Sequence, residues 1–233
     1  MSLGSGLFTK PTAGKPHIVK NRLDGVGGEV GKLRADLAKE LAPLAAIAVE
    51  EWSAPPAAAT NLIKTSIATV ASAVTYKGTD LNGSVGAAKF APRPISCALG
   101  AGAHYAGSAT IQGYDAQGVY ITDTIALAGN GGTTQHTAKY FAQVLAIVLP
   151  AQLDTSGTLA FGLYGNNIGL SRTPKARTTA LFLLHEFEDG AVAGTAGALI
   201  AAGSAAPYGA YTPHDAPNGT HNYAIYYEFD ATV

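Results

Sequence analysis

Alternating apolar and polar residues are clearest in the segment 108–127, where they predict two β-strands joined by a tight turn. The turn falls at residues 114–118, because aspartate favours turn entry and glycine adopts the left-handed conformation that closes such a turn. The returning strand is predicted to have an apolar face of Val119, Ile121, Ile125 and Leu127 and a polar face of Tyr120, Thr122 and Thr124. Asp123 interrupts the apolar row. The rest of the chain repeats this pattern of short strands and glycine-rich turns.

Further short strands are predicted along most of the chain. They fall at residues 44–52, 60–76, 95–99, 139–149, 158–164, 178–187, 191–202 and 222–230. The segment 60–76 also fits a helix, but its β-branched residues favour a strand. Residues 208–221 are predicted to form a long loop. Evenly spaced short strands predict a mainly β fold, either a β-sandwich or a jelly roll.

One short N-terminal helix is predicted at residues 31–41. Leu33, Leu37 and Leu41 recur at every fourth position and form an apolar stripe. Pro43 is expected to end the helix, because proline disfavours helical geometry at the residue before it. A helix this short must pack against another surface to be stable.

The same patterns divide the chain into segments. Residues 1–28 show neither the helical nor the strand period and are predicted to form an extended arm. We expect residues 29–75 to supply the helix and strands that pack with residues 171–233. Residues 76–170 are expected to form a central β-sandwich inserted between these two segments, since this block begins and ends at glycine-rich turns.

Composition narrows the range of partners. Of the 233 residues, 47% are hydrophobic and only 13% are charged, and the formal net charge is −1. Such a chain has little long-range field to attract nucleic acid or an anionic membrane, so neither is expected as a partner. The segment at the N-terminus has no signal-peptide pattern, and no uninterrupted apolar run reaches membrane-spanning length. We therefore expect a soluble protein made in a cytoplasm.

The single cysteine, Cys97, excludes an internal disulfide and a cysteine-based zinc site. It is interpreted as a buried strand thiol rather than a nucleophile, because a free cysteine usually packs as a small hydrophobic residue. The chain also lacks a nucleophile elbow, a Walker loop and a dinucleotide fingerprint. No enzyme activity and no cofactor are expected.

Histidines and carboxylates offer the remaining candidates for chemistry. His214, Asp215 and His221 share one predicted loop, but their spacing matches no standard metal-ligand pattern, so surface or interface histidines are preferred and no metal is expected. In the segment 185–189, HEFED, Glu186 and Glu188 should point away from His185, because side chains alternate along a strand. This segment is interpreted as a charged strand end at a turn. A glycosidase needs two carboxyl groups held across a sugar, and the sequence places no such pair among Asp115, Asp123, Glu186 and Glu188.

Several longer segments resemble virion structural proteins of tailed bacteriophages. The segments are GEVGKLRADLAKELAPLAAIAVEEW at 28–52, PRPISCALG at 92–100, ATIQGYDAQGVYITDTIAL at 109–127, KYFAQVLAIVLP at 139–150, GLYGNNIGL at 162–170 and YGAYTPHDAPNGTHNYAIYYEFDAT at 208–232. Together they cover most of the chain after residue 28, and none is a catalytic signature. The resemblance implies a role in assembly. A compact β-rich chain with few charges and an N-terminal arm resembles head decoration (cement) proteins in particular, which bind the outside of the capsid.

This resemblance implies partners and contacts. The expected partners are the major capsid protein and further copies of the chain, in a homotrimer on the capsid exterior. The candidate assembly contacts are Leu33, Leu37, Leu41, Trp52, Tyr208, Tyr211 and Tyr226. One alternative is a tail, neck or fibre component, including a receptor-binding protein. A second alternative is a protein that binds or cleaves glycans, because exposed tyrosines stack on sugars.

Overall fold

The computed structural model describes residues 46–101, 104–129, 131–177, 180–181, 183–204 and 206–229. These residues form a mainly β structure of antiparallel strands, which confirms the predicted fold class. The predicted arm at 1–28 and the predicted helix at 31–41, with Leu33, Leu37 and Leu41, lie outside the described residues. Within the described part of the chain, no helix has the length and apolar content needed to cross a membrane.

The strands are numbered in chain order. They are β1 (Ala46–Trp52), β2 (Lys64–Ala68), β3 (Val74–Lys77), β4 (Ile95–Leu99), β5 (Ser108–Tyr114), β6 (Tyr120–Ala126), β7 (Thr134–His136), β8 (Gln143–Leu149), β9 (Thr158–Leu163), β10 (Ile168–Gly169), β11 (Ala176–Arg177), β12 (Ala180–Leu181), β13 (Leu183–Glu188), β14 (Ala191–Val192), β15 (Ala198–Ile200), β16 (Ala210–Thr212) and β17 (Tyr223–Phe229). A short 3-10 helix, Gly78–Asp80, follows β3.

Two four-stranded sheets form a β-sandwich-like body. Their strand orders are β2-β9-β4-β7 and β3-β8-β5-β6. The sheets share one apolar core, to which Ile95 and Phe161 contribute from the first sheet and Ile111 and Ile147 from the second. All four of these side chains are fully buried. The predicted strand at 60–76 is in fact two strands, and β2 and β3 lie in different sheets of this body. A turn between them carries the chain from one sheet to the other.

The hairpin of β5 and β6 matches its sequence prediction. Asp115 begins the turn, and one carboxylate oxygen accepts hydrogen bonds from the backbone N–H groups of Gln117 and Val119, each at 2.9 Å. Gly118 has a φ of +78°, the left-handed conformation that closes the turn. Ile125 is buried as predicted, whereas Val119 is 50% exposed, because it lies at the turn beyond the edge of the core.

The interruption at Asp123 also has a structural explanation. Its carboxylate accepts hydrogen bonds from the backbone N–H groups of Thr124 and Lys139, both at 2.8 Å. Lys139 in turn donates from Nζ to the carbonyl oxygen of Thr122 at 2.9 Å. The polar residue in the apolar row therefore ties β6 to the chain that leads into β8.

A second group of strands is formed by the C-terminal residues together with β1. The four-stranded order is β1-β17-β13-β14, and a three-stranded sheet has the order β10-β16-β15. A separate small core is buried between these elements and contains Ala48, Leu170, Tyr211, Ile225 and Tyr227. The described residues from Ala46 onward belong to one compact unit. The pairing of β1 with β17 and of β2 with β9 is observed, and the proposed division into flanking and inserted segments stays a prediction.

Two sequence predictions in this region are wrong. The predicted loop at 208–221 contains β16, which pairs with β10 on one side and β15 on the other, because burial of Tyr211 holds this short segment against distant strands. The predicted single strand at 191–202 is divided into β14 and β15, which belong to different sheets. Small side chains gave no periodicity that would have revealed this break.

Candidate functional site

The two faces of the β1-β17-β13-β14 sheet have different environments. In the antiparallel register Ala48 lies opposite Tyr227, and Val49 lies opposite Tyr226. Since side chains alternate along each strand, Ala48 and Tyr227 face the small core while Val49 and Tyr226 face away from it. Within the described residues β1 is an edge strand of this sheet.

The outer apolar face of this sheet consists of Ile47, Val49, Phe187, Val192 and Tyr226. Ile47 is 58% exposed, Val49 is 49% exposed and Val192 is 61% exposed. Phe187 and Tyr226 are half-buried and contact each other edge to face, with 5.6 Å between ring centroids. An antiparallel sheet with one solvated face normally carries polar residues on that face. All four strands contribute apolar side chains to this face, and those of Ile47, Val49 and Val192 are exposed. This face is therefore a candidate interaction surface.

A surface depression of about 540 Å³ lies at one end of this outer face. Its lining includes the aromatic residues Trp52, Phe187 and Tyr226, with Glu51 and Asn222 as polar neighbours. The depression thus combines aromatic rings with hydrogen-bonding groups, and this combination suits a protein side chain or a sugar.

The acid–histidine cluster, defined as Glu188, Asp189 and His221, lies at the same end of the sheet as this depression but on the opposite face. Each residue offers one ligand atom, and the three atoms lie within 4.8 Å of one another. Glu188 Oε1 contacts His221 Nδ1, and Asp189 Oδ2 lies 3.2 Å from the same nitrogen. From the sequence, His221 was expected to share a loop with His214 and Asp215, and its proximity to Glu188 and Asp189 was not predicted.

The local backbone explains why these groups meet. Asp189 and Gly190 have φ values of +51° and +81° and form the two-residue turn between β13 and β14, as expected for an Asp-Gly pair in a tight hairpin. Glu188 lies opposite Tyr223 in the register of β13 and β17, and His221 precedes Tyr223 by two residues. The side chains of Glu188 and His221 therefore project from the same side of the sheet.

Hydrogen bonds hold the turn against the start of β17. Asp189 Oδ1 accepts hydrogen bonds from the backbone N–H of Asn222 at 2.8 Å and from its side-chain amide at 3.3 Å. The backbone N–H of Asp189 donates to the carbonyl oxygen of Asn222 at 2.9 Å. One oxygen of Asp189 is thereby engaged with Asn222, while the other faces His221.

Negative charge accumulates around this cluster. Burial raises the pKa of Glu188, the neighbouring His221 acts in the opposite direction, and Asp215 and Asp189 raise the pKa further. Burial, together with Glu188 and Asp215, raises the pKa of the Tyr223 phenol to about 12. The Tyr223 hydroxyl donates a hydrogen bond to the backbone carbonyl of Asp215 at 3.0 Å. The loop between β16 and β17 thus brings a third carboxylate, that of Asp215, close to the cluster.

Glu186 is buried beside the cluster with an exposure of 1%. Its carboxylate accepts hydrogen bonds from the backbone N–H of Gly197 and from that of His214, the second at 3.2 Å. His185 lies on the other face of β13, and its ring centroid is 6.1 Å from that of Phe187. The alternation predicted for this strand is therefore correct, and Glu188 and Asp189 form the predicted charged strand end at a turn. The sequence did not indicate that Glu186 is buried in the protein interior.

The residues predicted as assembly contacts differ in accessibility. Tyr226 is part of the outer apolar face, and Tyr208 is half-buried beside a small cavity. Trp52 is half-buried and stacks on Tyr211, with 6.0 Å between ring centroids. Tyr211 is completely buried and therefore contributes to the core rather than to a surface. Only the register of the sheet shows that Ile47, Val49, Phe187 and Val192 accompany Tyr226 on one face.

The carboxylates considered for a glycosidase lie in different parts of the fold. Asp115 is occupied by the turn of the β5–β6 hairpin, and Asp123 binds two backbone amides of the same body. Glu186 and Glu188 belong to the C-terminal sheet.

Comparison of the chain with protein-family models, with curated proteins and with solved structures gave no match.

Proposed function

We propose that this protein is a structural component of a tailed-phage virion and acts as a head decoration (cement) protein on the capsid exterior. The observation that supports this proposal is the outer apolar face, which presents Ile47, Val49 and Val192 to solvent. The resemblance of the sequence segments to phage virion proteins supplies the biological setting. The proposed partners are the major capsid protein and two further copies of the chain.

The exposed side chains of the outer apolar face are large enough to contribute measurably to a binding free energy. Complete burial of a valine or isoleucine side chain contributes about 1.5–3 kcal/mol. Ile47 and Val49 are each about half exposed, at 58% and 49%. Burying both against a partner would therefore contribute about 1.5–3 kcal/mol, which corresponds to roughly a 10- to 150-fold gain in affinity.

Low charge favours contact between copies. With a formal net charge of −1, the chain repels its own copies only weakly.

A protein that binds the expanded capsid lattice and not its precursor stabilises the expanded lattice by its binding free energy. Many modest contacts repeated over a shell then produce a large total stabilisation.

The proposal is tested by adding charge to the outer apolar face. Ile47→Lys combined with Val49→Lys should abolish self-association in sedimentation velocity and prevent binding to purified expanded capsids, because a lysine ammonium is costly to bury. Val119→Lys is the matched control, since Val119 is 50% exposed but lies at the turn of the central body. Equal assembly by the double variant and the wild type would contradict the proposal.

Imaging of particles that carry the protein separates the capsid from other locations. Copies distributed over the whole shell are expected for a decoration protein. Copies confined to the tail or neck would favour the tail, neck or fibre alternative.

The depression beside Tyr226 and Phe187 favours a second candidate function, binding of a host-surface glycan. Glycan-array screening tests this function directly. Saturable binding that is lost in Tyr226→Ala would replace the decoration proposal, whereas the absence of binding would eliminate the glycan alternative.

A further inference from the structure

The outer apolar face extends across a whole sheet. Ile47 and Val49 lie on β1 at one edge, Val192 lies on β14 at the other edge, and all three are exposed. Phe187 and Tyr226, on the two strands between them, contact each other edge to face. Three spacings of about 4.8 Å between neighbouring strands make this face about 14 Å wide. A continuous apolar surface of this kind differs from singly exposed apolar residues, which need no explanation.

The sequence contains one apolar surface of matching size. The predicted helix at 31–41 carries Leu33, Leu37 and Leu41 along one side. A helix of this length measures about 16 Å and its leucine stripe about 12 Å, which is close to the width of the outer apolar face. A helix this short is stable only when it packs against another surface. Each of the two surfaces is therefore expected to need an apolar partner, and they agree in length.

The connection between the predicted helix and β1 is short. Only residues 42–45, APLA, separate the helix from Ala46, the first residue of β1. Pro43 favours an extended conformation at the residue before it, and these four residues include no glycine, asparagine or aspartate to reverse the chain. The connection therefore favours packing of the helix on a neighbouring copy over a reversal onto the same sheet.

The charge distribution favours contact between these parts of two copies. Residues 1–45 contain seven lysines and arginines and four acidic residues, whereas residues 178–233 contain six acidic residues and no lysine or arginine. The carboxylate of Glu51 is exposed on the outer side of the sheet, and the predicted helix includes two lysines and one arginine. Opposite charge on two surfaces steers their association and helps to select the partner.

We propose that the leucine stripe of residues 31–41 packs on the outer apolar face of a neighbouring copy. The partner of this face is then a second copy of the chain, and the contacting element is an amphipathic helix. Because the two contacting surfaces differ, the contact is head-to-tail and closes into a ring when the rotation between copies allows it. A ring of three copies agrees with the proposed homotrimer. The inference rests on the proposed function, for which it names the contact between copies.

Chemical cross-linking between full-length variants, each with one added cysteine, tests this contact. Chains with Leu37→Cys are co-expressed with differently tagged chains that carry either Val49→Cys or Val192→Cys, and the purified protein is treated with a short bismaleimide. We expect a covalent dimer of one chain of each kind for at least one of the two pairs, since the pairs sample both edges of the face. Cys97 is fully buried and should not react in the folded protein.

Two control variants separate this contact from random collision. Lys39→Cys lies on the opposite side of the predicted helix from Leu37 and should give little cross-linking to the face. Val119→Cys is 50% exposed but lies at the turn of the central body, and it should not react with Leu37→Cys chains. Cross-linking of the control pairs as efficiently as the test pairs would overturn the proposal.

Sedimentation equilibrium provides a second measurement. Leu37→Ala should weaken self-association at least about tenfold, because it removes a large apolar side chain from the contact, whereas Lys39→Ala should weaken it less than about twofold. Equal self-association by the wild type and the Leu37→Ala variant would contradict the contact.

The cross-linking result also distinguishes this contact from the decoration function. No link from Leu37→Cys to either edge of the face, or a link that forms only within one chain carrying both Leu37→Cys and Val49→Cys, would overturn the contact between copies. Capsid binding by such a protein would still support decoration. A link between copies that do not bind capsids would support the contact and contradict decoration.

Discussion

Replacement of Glu186 by glutamine tests whether this carboxylate has a structural role. Glu186 is 1% exposed and accepts hydrogen bonds from the backbone N–H groups of Gly197 and His214. These bonds attach β13 to two loops that are distant in sequence. Glutamine has nearly the same shape but retains a single acceptor oxygen, and its amide group would face one of the two N–H donors.

The size of the effect follows from these contacts. A hydrogen bond to a charged group contributes about 1.5–3 kcal/mol, and a buried donor left without a partner costs about 1–3 kcal/mol. The lower desolvation cost of the neutral amide offsets part of this loss. We therefore expect Glu186→Gln to lower the free energy of unfolding by about 2–4 kcal/mol. For a domain of this size the corresponding decrease in Tm is roughly 5–15 °C.

Urea unfolding measures this change directly. The chain contains a single tryptophan, Trp52, which stacks on Tyr211 and reports on the C-terminal core through its fluorescence. Glu51→Gln is the matched control, because Glu51 is an exposed carboxylate on the outer side of the same sheet and its replacement should change stability by less than about 0.5 kcal/mol. If Glu186→Gln were as stable as the wild type, the structural role assigned to this carboxylate would be wrong.

Three further predictions concern the central body. Gly162→Ala should lower the free energy of unfolding by about 3 kcal/mol or more in urea, because the added Cβ would overlap the backbone carbonyl of Ala59; a change below about 0.5 kcal/mol would contradict the packing described. Cys97 should react with a thiol reagent only as fast as the protein unfolds, since it is fully buried, and rapid labelling of the native protein would contradict this placement. Burial also raises the pKa of Cys97 to about 12, so the unfolded chain ionises first and stability should fall as the pH rises above about 9. Between about pH 8 and pH 10.5 the free energy of unfolding, measured in urea, should fall by roughly 2 kcal/mol more for the wild type than for the Cys97→Ala variant. An equal fall in the two proteins would contradict the raised pKa of the Cys97 thiol.

Local sequence was sufficient for the β5–β6 hairpin. Its strands alternate with a period of two, and Asp115 and Gly118 supply the turn conformation within a few residues of one another. The turn at the end of β13 was also predicted from local sequence. In both cases the decisive interactions lie close together along the chain, so a pattern of neighbouring residues was enough to indicate them.

The short strand β16 and the break between β14 and β15 were not predicted. β16 contains three residues, which is too short to show a period, and it is stabilised by hydrogen bonds to β10 and β15 on either side. The cluster of Glu188, Asp189 and His221 was not predicted either, because it also depends on the pairing of distant strands. The sequence shows these residues far apart, and they come together only because β13 and β17 pair with Glu188 opposite Tyr223.

The amino-acid sequence by itself determined that the chain forms short antiparallel strands, where its clearest hairpin turns and which side chains alternate along each strand. The tertiary structure decided which strands share a sheet, and therefore which face of the C-terminal sheet is left apolar and exposed. It also decided that Glu186 enters the core and that Glu188 meets His221. The physical reason is that alternation depends on neighbours two residues apart, whereas strand register depends on packing and hydrogen bonds between distant segments.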